Sequence, residues 1–266
     1  MHGLGNDFVL LDRLDGSPGV TPEEVAWLAD RRLGVGCDQV VELVPETGAA
    51  ARMIIHNADG SQAEMCGNAA RCVGLYLRKY RGVTDAEMVL ATGAGPVRLF
   101  PVTGTNRVAV DMGCPTFSGE RTLTIARVSP AHGVPGVEQG VSGTVVSMGN
   151  PHFVVFADDV AAVALADVGP LLSEHVAFPN RTNVEFVQIL DSANVRMRVW
   201  ERGAGITPAC GTGACAAAVA AAERGLTGRK VTVRLDGGEL VIDWQEGGRV
   251  VMTGPAVEVF RGTLTP

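Results

Sequence analysis

Lysine is scarce in this sequence: there are two, Lys79 and Lys230, against twenty arginines. Both stand among other charged residues, in LRKYRG and GRKVTV. A Schiff-base lysine is ordinarily desolvated, so these two argue against pyridoxal-phosphate chemistry. Basic stripes are missing as well. The net charge is −7 and like charges form no block, which speaks against a nucleic-acid partner. No apolar run approaches the roughly 20 residues that cross a bilayer. The start, MHGLGNDFVLLDR, has no basic stretch, apolar centre or small-residue cleavage site of a secretory signal. The six cysteines, Cys37, Cys66, Cys72, Cys114, Cys210 and Cys215, include no Cys-x-x-Cys pair, so zinc-clasp and thioredoxin-type readings are weak. In a reducing cytosol thiols are the default. The expectation is a soluble cytoplasmic protein with no membrane or nucleic-acid partner and no bound metal or cofactor.

What the chain does have is apolar content and punctuation. Hydrophobic residues make up 46% of 266, enough for one large domain or two of ordinary size, each with its own core. Glycines and prolines separate many short strand candidates: FVLLD, MIIHN, VRLFPV, RVAVDMG, TVVSMG, HFVVF, VEFVQIL, VRMRVW, KVTVRL, LVIDW and RVVMTG. In VRMRVW, Val195, Met197 and Val199 alternate onto one face. TPEEVAWLADRRLG reads as a helix, with Thr21 and Glu24 as a capping box, Pro22 at the first helical position, and Val25, Leu28 and Ala29 on one face. Two further helices open at Cys66 (CGNAARCVGLYLRKY) and Cys210 (CGTGACAAAVAAAERG). Both are apolar around most of their circumference at the start, which predicts burial.

These two cysteines lie 144 positions apart, and the same offset carries Asn6 onto Asn150, Gln39 onto Asn183 and Asn57 onto Glu201. Self-similarity at one fixed offset is the mark of a repeat. Similarity elsewhere is faint, so the reading is two related halves across a pseudo-twofold axis, with the persisting polar positions lining a shared cleft. A substrate carbon between Cys66 and Cys210 would meet a thiol on each face. One thiolate removes a proton while the opposite thiol returns one, and the centre inverts. Such a carbanion needs fixed dipoles aimed at the substrate carboxylate. Two helix starts supply free N–H groups and positive dipole ends, and the same position is expected to lower the pKa of a thiol there. Gly67 and Gly211 let the backbone approach a ligand closely.

Duller readings stand beside these. A lone helical cysteine is ordinarily a small buried hydrophobe, which is the reading for Cys37, Cys72, Cys114 and Cys215. His152 follows GNP and is either a strand-edge residue or a group that tunes a nearby thiol. Glu201 and Arg202 are either a surface ion pair or part of the site. Asn6, Gln39, Asn57, Asn150 and Asn183 are individually compatible with turns; their shared register points to ligand binding.

The stretches HGLGNDFV, GVGCDQ, NADGSQAEMCGNAARC, GNPHFV, RTNVEFV and ERGAGITPACGTGACAA resemble the motifs of diaminopimelate epimerases, and the resemblance runs across nearly the whole chain. It implies a cofactor-independent isomerase that interconverts LL- and meso-diaminopimelate for lysine and peptidoglycan synthesis. It implies an α/β (α+β) fold of two domains, each a β-barrel-like sheet wrapped around a central helix, with the active site in the cleft between them. Residues 1–111 form the half carrying Cys66, with 255–266 returning to it, and 112–254 the half carrying Cys210. Cys66 and Cys210 become the catalytic acid–base pair, with His152 and Glu201 tuning them. The backbone of Gly67, Asn68, Gly211 and Thr212 takes the reacting carboxylate. Asn6, Gln39, Asn57, Asn150, Asn183, Glu201 and Arg202 contact substrate, Arg202 as a fork on the far carboxylate. A homodimer is implied too, with Phe260 where the family often has tyrosine at the contact. Two alternatives remain at this point. Another two-cysteine racemase of the same fold, acting on proline, hydroxyproline or histidine, would lack the far-end carboxylate site. A non-enzymatic thiol redox protein would lack a substrate site altogether.

Overall fold

The computed structural model describes residues 1–125, 132–135 and 140–264. The chain divides into two compact units, residues 1–111 with 253–266, and residues 112–252. Residues 265 and 266 of the returning segment lie outside the described residues.

In the first unit the order is β1 (His2–Gly3), β2 (Asn6–Asp12), α1 (Pro22–Ala29), β3 (Gln39–Val44), β4 (Ala51–Asn57), β5 (Gln62–Ala63), α2 (Gly67–Tyr80), β6 (Met88–Thr92), β7 (Gly95–Pro101) and β8 (Arg107–Asp111). The second unit runs β9 (Thr116–Leu123), β10 (Val141–Ser147), β11 (Pro151–Phe156), α3 (Leu165–Ser173), β12 (Asn183–Asp191), β13 (Asn194–Glu201), β14 (Gly205–Ile206), α4 (Gly211–Glu223), β15 (Lys230–Leu235), β16 (Gly238–Trp244) and β17 (Val250–Pro255), which ends past the unit boundary. From β1 to β8 and from β10 to β17 the order of strands and helices is the same.

Pairing repeats along with the order. The strands β2 and β3 are parallel, joined by the α1 crossover, with Phe8 opposite Gln39. Their counterparts β11 and β12 are parallel across α3, with His152 opposite Asn183. Both pairs obey the 144-residue offset. So do the next antiparallel pairs, Val40 with His56 and Val184 with Trp200. A parallel pair needs a crossover of a dozen or more residues, and in both units a helix provides it.

The sheet of each unit surrounds its second long helix. Along α4 every residue from Gly213 to Ala221 is buried, and the helix packs on β10, β11, β12, β13, β15 and β16. Small side chains suit that position: seven of its thirteen residues are alanine, so strands can approach from all sides. Helix α2 packs on β1, β2, β7 and β8, burying Ala69, Ala70, Cys72, Val73 and Leu77. The surface helix α1 has the capping box expected of Thr21 and Glu24, and buries Val25, Leu28 and Ala29 against Cys37 and Val40. It stops at Ala29, because Asp30 turns extended and takes Arg32 and Leu33 N–H groups on its side chain.

Candidate functional site

Each catalytic candidate is the N-cap of its unit's buried helix. Cys66 caps α2 and Cys210 caps α4, both with extended backbone. The first helical bonds run from Ala70 N–H to the Cys66 carbonyl and from Ala214 N–H to the Cys210 carbonyl, both at 2.9 Å. The amides of residues 67–69 and 211–213 therefore precede the helical ladder, as the first N–H groups of any α-helix do. Gly67, Asn68 and Gly211 are buried, while Thr212 is partly accessible. Each unit thus sets three N–H groups and one positive helix end beside its own thiol.

In the first unit the Cys66 thiol donates to Asn6 Oδ1 at 3.7 Å, and Asn68 Nδ2 donates to the same oxygen at 3.1 Å. Asn6 in turn donates from Nδ2 to Asp38 Oδ2 at 2.9 Å. Gln39 and Asn57 face each other across β3 and β4, and Gln39 Nε2 donates to Asn57 Oδ1 at 2.9 Å. Asn57 donates onward to Ser61 Oγ.

In the second unit Cys210 is buried, and its sulfur accepts from Gly213 N–H at 3.4 Å and lies 3.6 Å from Thr212 Oγ1. Asn150 Nδ2 donates to Thr212 Oγ1 at 3.2 Å. Behind it, His152 Nε2 meets Asn150 Oδ1 at 3.0 Å and Nδ1 meets Glu185 Oε1 at 2.7 Å, with the His152 and Glu185 side chains wholly buried. Thr207 Oγ1 donates to Glu201 Oε1. Asn183 is buried, donating to the Pro151 carbonyl and accepting from Arg202 N–H. Arg202 itself is exposed; Nη1 donates to the Asn180 carbonyl at 3.1 Å, and among the described residues no carboxylate pairs with it.

Electrostatics correct one expectation. A helix start was expected to lower the pKa of the thiol, yet Cys210 is pushed well above the ordinary thiol range. Burial is the largest cause, and the charges of Glu201 and Glu185 push the same way; the bonds from Thr212 and Gly213 only partly offset them. Glu201 is raised as well, first by burial, against hydrogen bonds from Thr207 and from the Cys210 thiol. Burial and two nearby carboxylates thus favour the protonated thiol at Cys210. Farther along the helices, Cys72 is pushed up to about 12 by burial, an inert core thiol, and Cys215 is buried. Cys37 is buried and raised for the same reason. Cys114 departs from the buried reading: it is exposed, in the segment between β8 and β9.

Sequence reasoning missed Glu185, Thr207 and the Asp7–Arg31–Asp38 cluster. The signal for Glu185 was there, an acidic residue inside the apolar strand VEFV. Phe260 is exposed near the chain end. Among the described residues, no group of three or more His, Cys, Asp or Glu is placed to hold a metal ion, and no helix is long and apolar enough to cross a membrane.

Comparison with known proteins converges on one family. A family model described as diaminopimelate epimerase matches residues 1–118 and 144–259. The diaminopimelate epimerase of Magnetococcus marinus is 54% identical over 99% of this chain and 95% of its own length. That of Pelotomaculum thermopropionicum is 49% identical over 98% of this chain and 96% of its own. Among solved structures, a PhzF-family phenazine biosynthesis protein of Bacillus anthracis covers 96% of this chain and 92% of its own, with a TM-score of 0.71 at 16% identity, a likeness of fold.

Proposed function

This chain belongs to the diaminopimelate epimerase family, and from that premise we propose that it interconverts LL- and meso-diaminopimelate by two-base proton transfer at one Cα, with Cys66 and Cys210 as the proton carriers. The observation that carries the assignment of residues is the pair of cysteine N-caps, one per unit at equivalent positions, each on a buried helix whose leading amides are outside the helical ladder. Inversion requires the two thiols to reach opposite faces of the same carbon during turnover. The thiolate takes the α-proton as a pair of electrons moves onto the substrate carboxylate. The opposite thiol gives its proton to the other face, and the two sulfurs end with their protonation exchanged.

An amino-acid α-proton is a weak acid, so charge arriving on the carboxylate has to be met by dipoles already in place. The N–H groups of Gly67, Asn68, Gly211 and Thr212 take that role. Gly213 N–H is given to the Cys210 sulfur instead, where it supports a thiolate once one forms. The α-ammonium group of the substrate offsets the negative field of Glu185 and Glu201, so a thiolate at Cys210 is favoured with substrate present and disfavoured without it. His152, fixed between Glu185 and Asn150, and Glu201, fixed by Thr207, are the tuning groups.

Substrate contacts fall to Asn6, Gln39, Asn57, Asn150, Asn183, Glu201 and Arg202. Arg202 supplies the fork for the far carboxylate. Asn183 holds the Arg202 backbone, and the absence of a carboxylate partner among the described residues leaves the guanidinium able to receive one. That fork is the feature a proline or hydroxyproline racemase has no use for. The protein acts as a cytoplasmic homodimer, with the exposed Phe260 and Val259 in its contact surface. The test of the activity is direct: purified protein converts LL- to meso-diaminopimelate, and Cys66→Ala and Cys210→Ala each abolish conversion. Either variant at near wild-type rate sinks the two-thiol assignment.

A further inference from the structure

The two asparagines related by the offset, Asn6 and Asn150, are wired differently. Asn150 has an imidazole on its oxygen and a threonine hydroxyl on its nitrogen. Both partners are able to donate or to accept, so its amide has two workable orientations. Asn6 has one. Its nitrogen faces a carboxylate, which only accepts, so its oxygen is turned to the Cys66 thiol and Asn68.

That carboxylate is itself fixed. Asp38 Oδ2 also accepts from Asp7 N–H at 3.1 Å, and Oδ1 accepts from Arg31 Nη2 at 2.8 Å. Arg31 grips Asp7 with both terminal nitrogens, at 2.9 and 2.8 Å, and Asp38 N–H donates to Asp7 Oδ1 at 2.8 Å. The result is a closed ring of Asp7, Arg31 and Asp38. In the second unit the equivalent positions are Pro151, His175 and Thr182, so no such ring exists there.

We propose that Asp38, held by Arg31 and Asp7, is a positioning residue that locks the Asn6 amide with its oxygen on Cys66 and so biases Cys66 toward the protonated form in the substrate-free protein. An acceptor placed on a thiol favours the protonated form; the flipped amide would offer a donor and favour the thiolate. The proposal rests on Cys66 being one of the two proton carriers, and it adds an asymmetry that the repeat itself does not require. In the first unit the titratable groups linked to Cys66 are Cys72 on α2, which feels its charge, and, through Asn6, Asp38 with its partners Arg31 and Asp7.

The test is the pH dependence of Cys66 alkylation by iodoacetamide, read peptide by peptide, in the substrate-free protein. It does not depend on turnover, so its outcome is separate from that of the epimerase assay. Asp38→Ala frees the amide to flip, and the alkylation midpoint of Cys66 falls by about half a pH unit or more, the scale of one net hydrogen bond. Asp38→Asn removes the charge but keeps an oxygen for Asn6 Nδ2, and the midpoint stays near wild type. Asn6→Ala, which leaves the ring intact, gives the same fall as Asp38→Ala and serves if that variant does not fold. A wild-type midpoint in both alanine variants overturns the proposal. An equal fall in Asp38→Asn also overturns it, because charge alone would then explain the effect.

Discussion

At the residue scale the two thiols are not alike. Cys66 donates to an amide oxygen; Cys210 is enclosed by Glu201, Glu185, Thr212 and the Gly213 amide. The two carboxylates raise Cys210 on top of its burial, so removing one of them lowers it. Glu201→Gln is expected to speed alkylation of Cys210 severalfold at neutral pH, while slowing epimerisation because the tuned geometry is lost. Peptide-resolved alkylation checks this; an unchanged Cys210 rate would mean that Glu201 does not reach the thiol. Most of these residues were legible in the sequence. Asn6, Gln39, His152 and Glu201 stood out through the offset or through motif resemblance, because polar side chains in short apolar strands have few structural excuses. The thiol acidity was not legible. A helix start lowers a thiol pKa, but burial and two carboxylates contributed by β12 and β13 outweigh it, and those arrive only through strand pairing.

At the element scale the second half-site depends on how closely β12 approaches the start of α4. A Cβ built on Gly213 would stand 2.7 Å from Glu185 Oε1 and 3.2 Å from the Cys210 sulfur. Glycine inside a helix costs about 1 kcal/mol relative to alanine, so its presence here runs against helix propensity. Gly213→Ala is expected to displace Glu185 from His152 and lower kcat by roughly tenfold or more, while the propensity gain of about 1 kcal/mol offsets much of the strain in thermal stability. Calorimetry and steady-state kinetics on one preparation measure both; full activity would remove the close approach from the account. Elements themselves were unevenly legible. The capping box of α1 and the alternation in β13 read directly. Strands β3, β6 and β9 and helix α3 did not. Helix α3 contains Gly169 and Pro170 in its middle, which read as breakers, yet Gly169 sits against the Trp200 ring where a Cβ would be only 2.7 Å from it. Strand β9 is mostly exposed and polar, so it lacks the alternation by which β13 was recognised.

At the scale of the molecule, one topology occurs twice with almost no sequence in common. Buried polar pairs account for part of the divergence. In the second unit His152 and Glu185 form a buried pair, and the equivalent residues in the first are Phe8 and Val41, both core. The first unit has its own buried pair, His56 with Glu42 at 2.9 Å, and there the second unit has Trp200 and Phe186. The backbone register survived while the polar pair changed place, so only the cysteines and a few polar positions still declare the repeat. Exposed Phe260 and Val259 near the chain end favour self-association. Sedimentation equilibrium is expected to give twice the chain mass of 27.7 kDa, and Phe260→Asp to shift the species toward a single chain; a wild-type monomer at micromolar concentration would remove the dimer.

Two-thiol inversion is tested most directly by isotope uptake. LL-diaminopimelate is incubated with the reduced protein in heavy water, and both stereocentres of the first-formed meso product are read by NMR. With one thiol taking the substrate proton and the opposite thiol, already exchanged with solvent, returning a deuteron, the inverted carbon carries deuterium from the first turnovers and the distal carbon carries none. Meso product that retains the substrate proton at the inverted carbon would mean that a single base moved it from face to face, and would contradict the assignment of Cys66 and Cys210 as separate proton carriers.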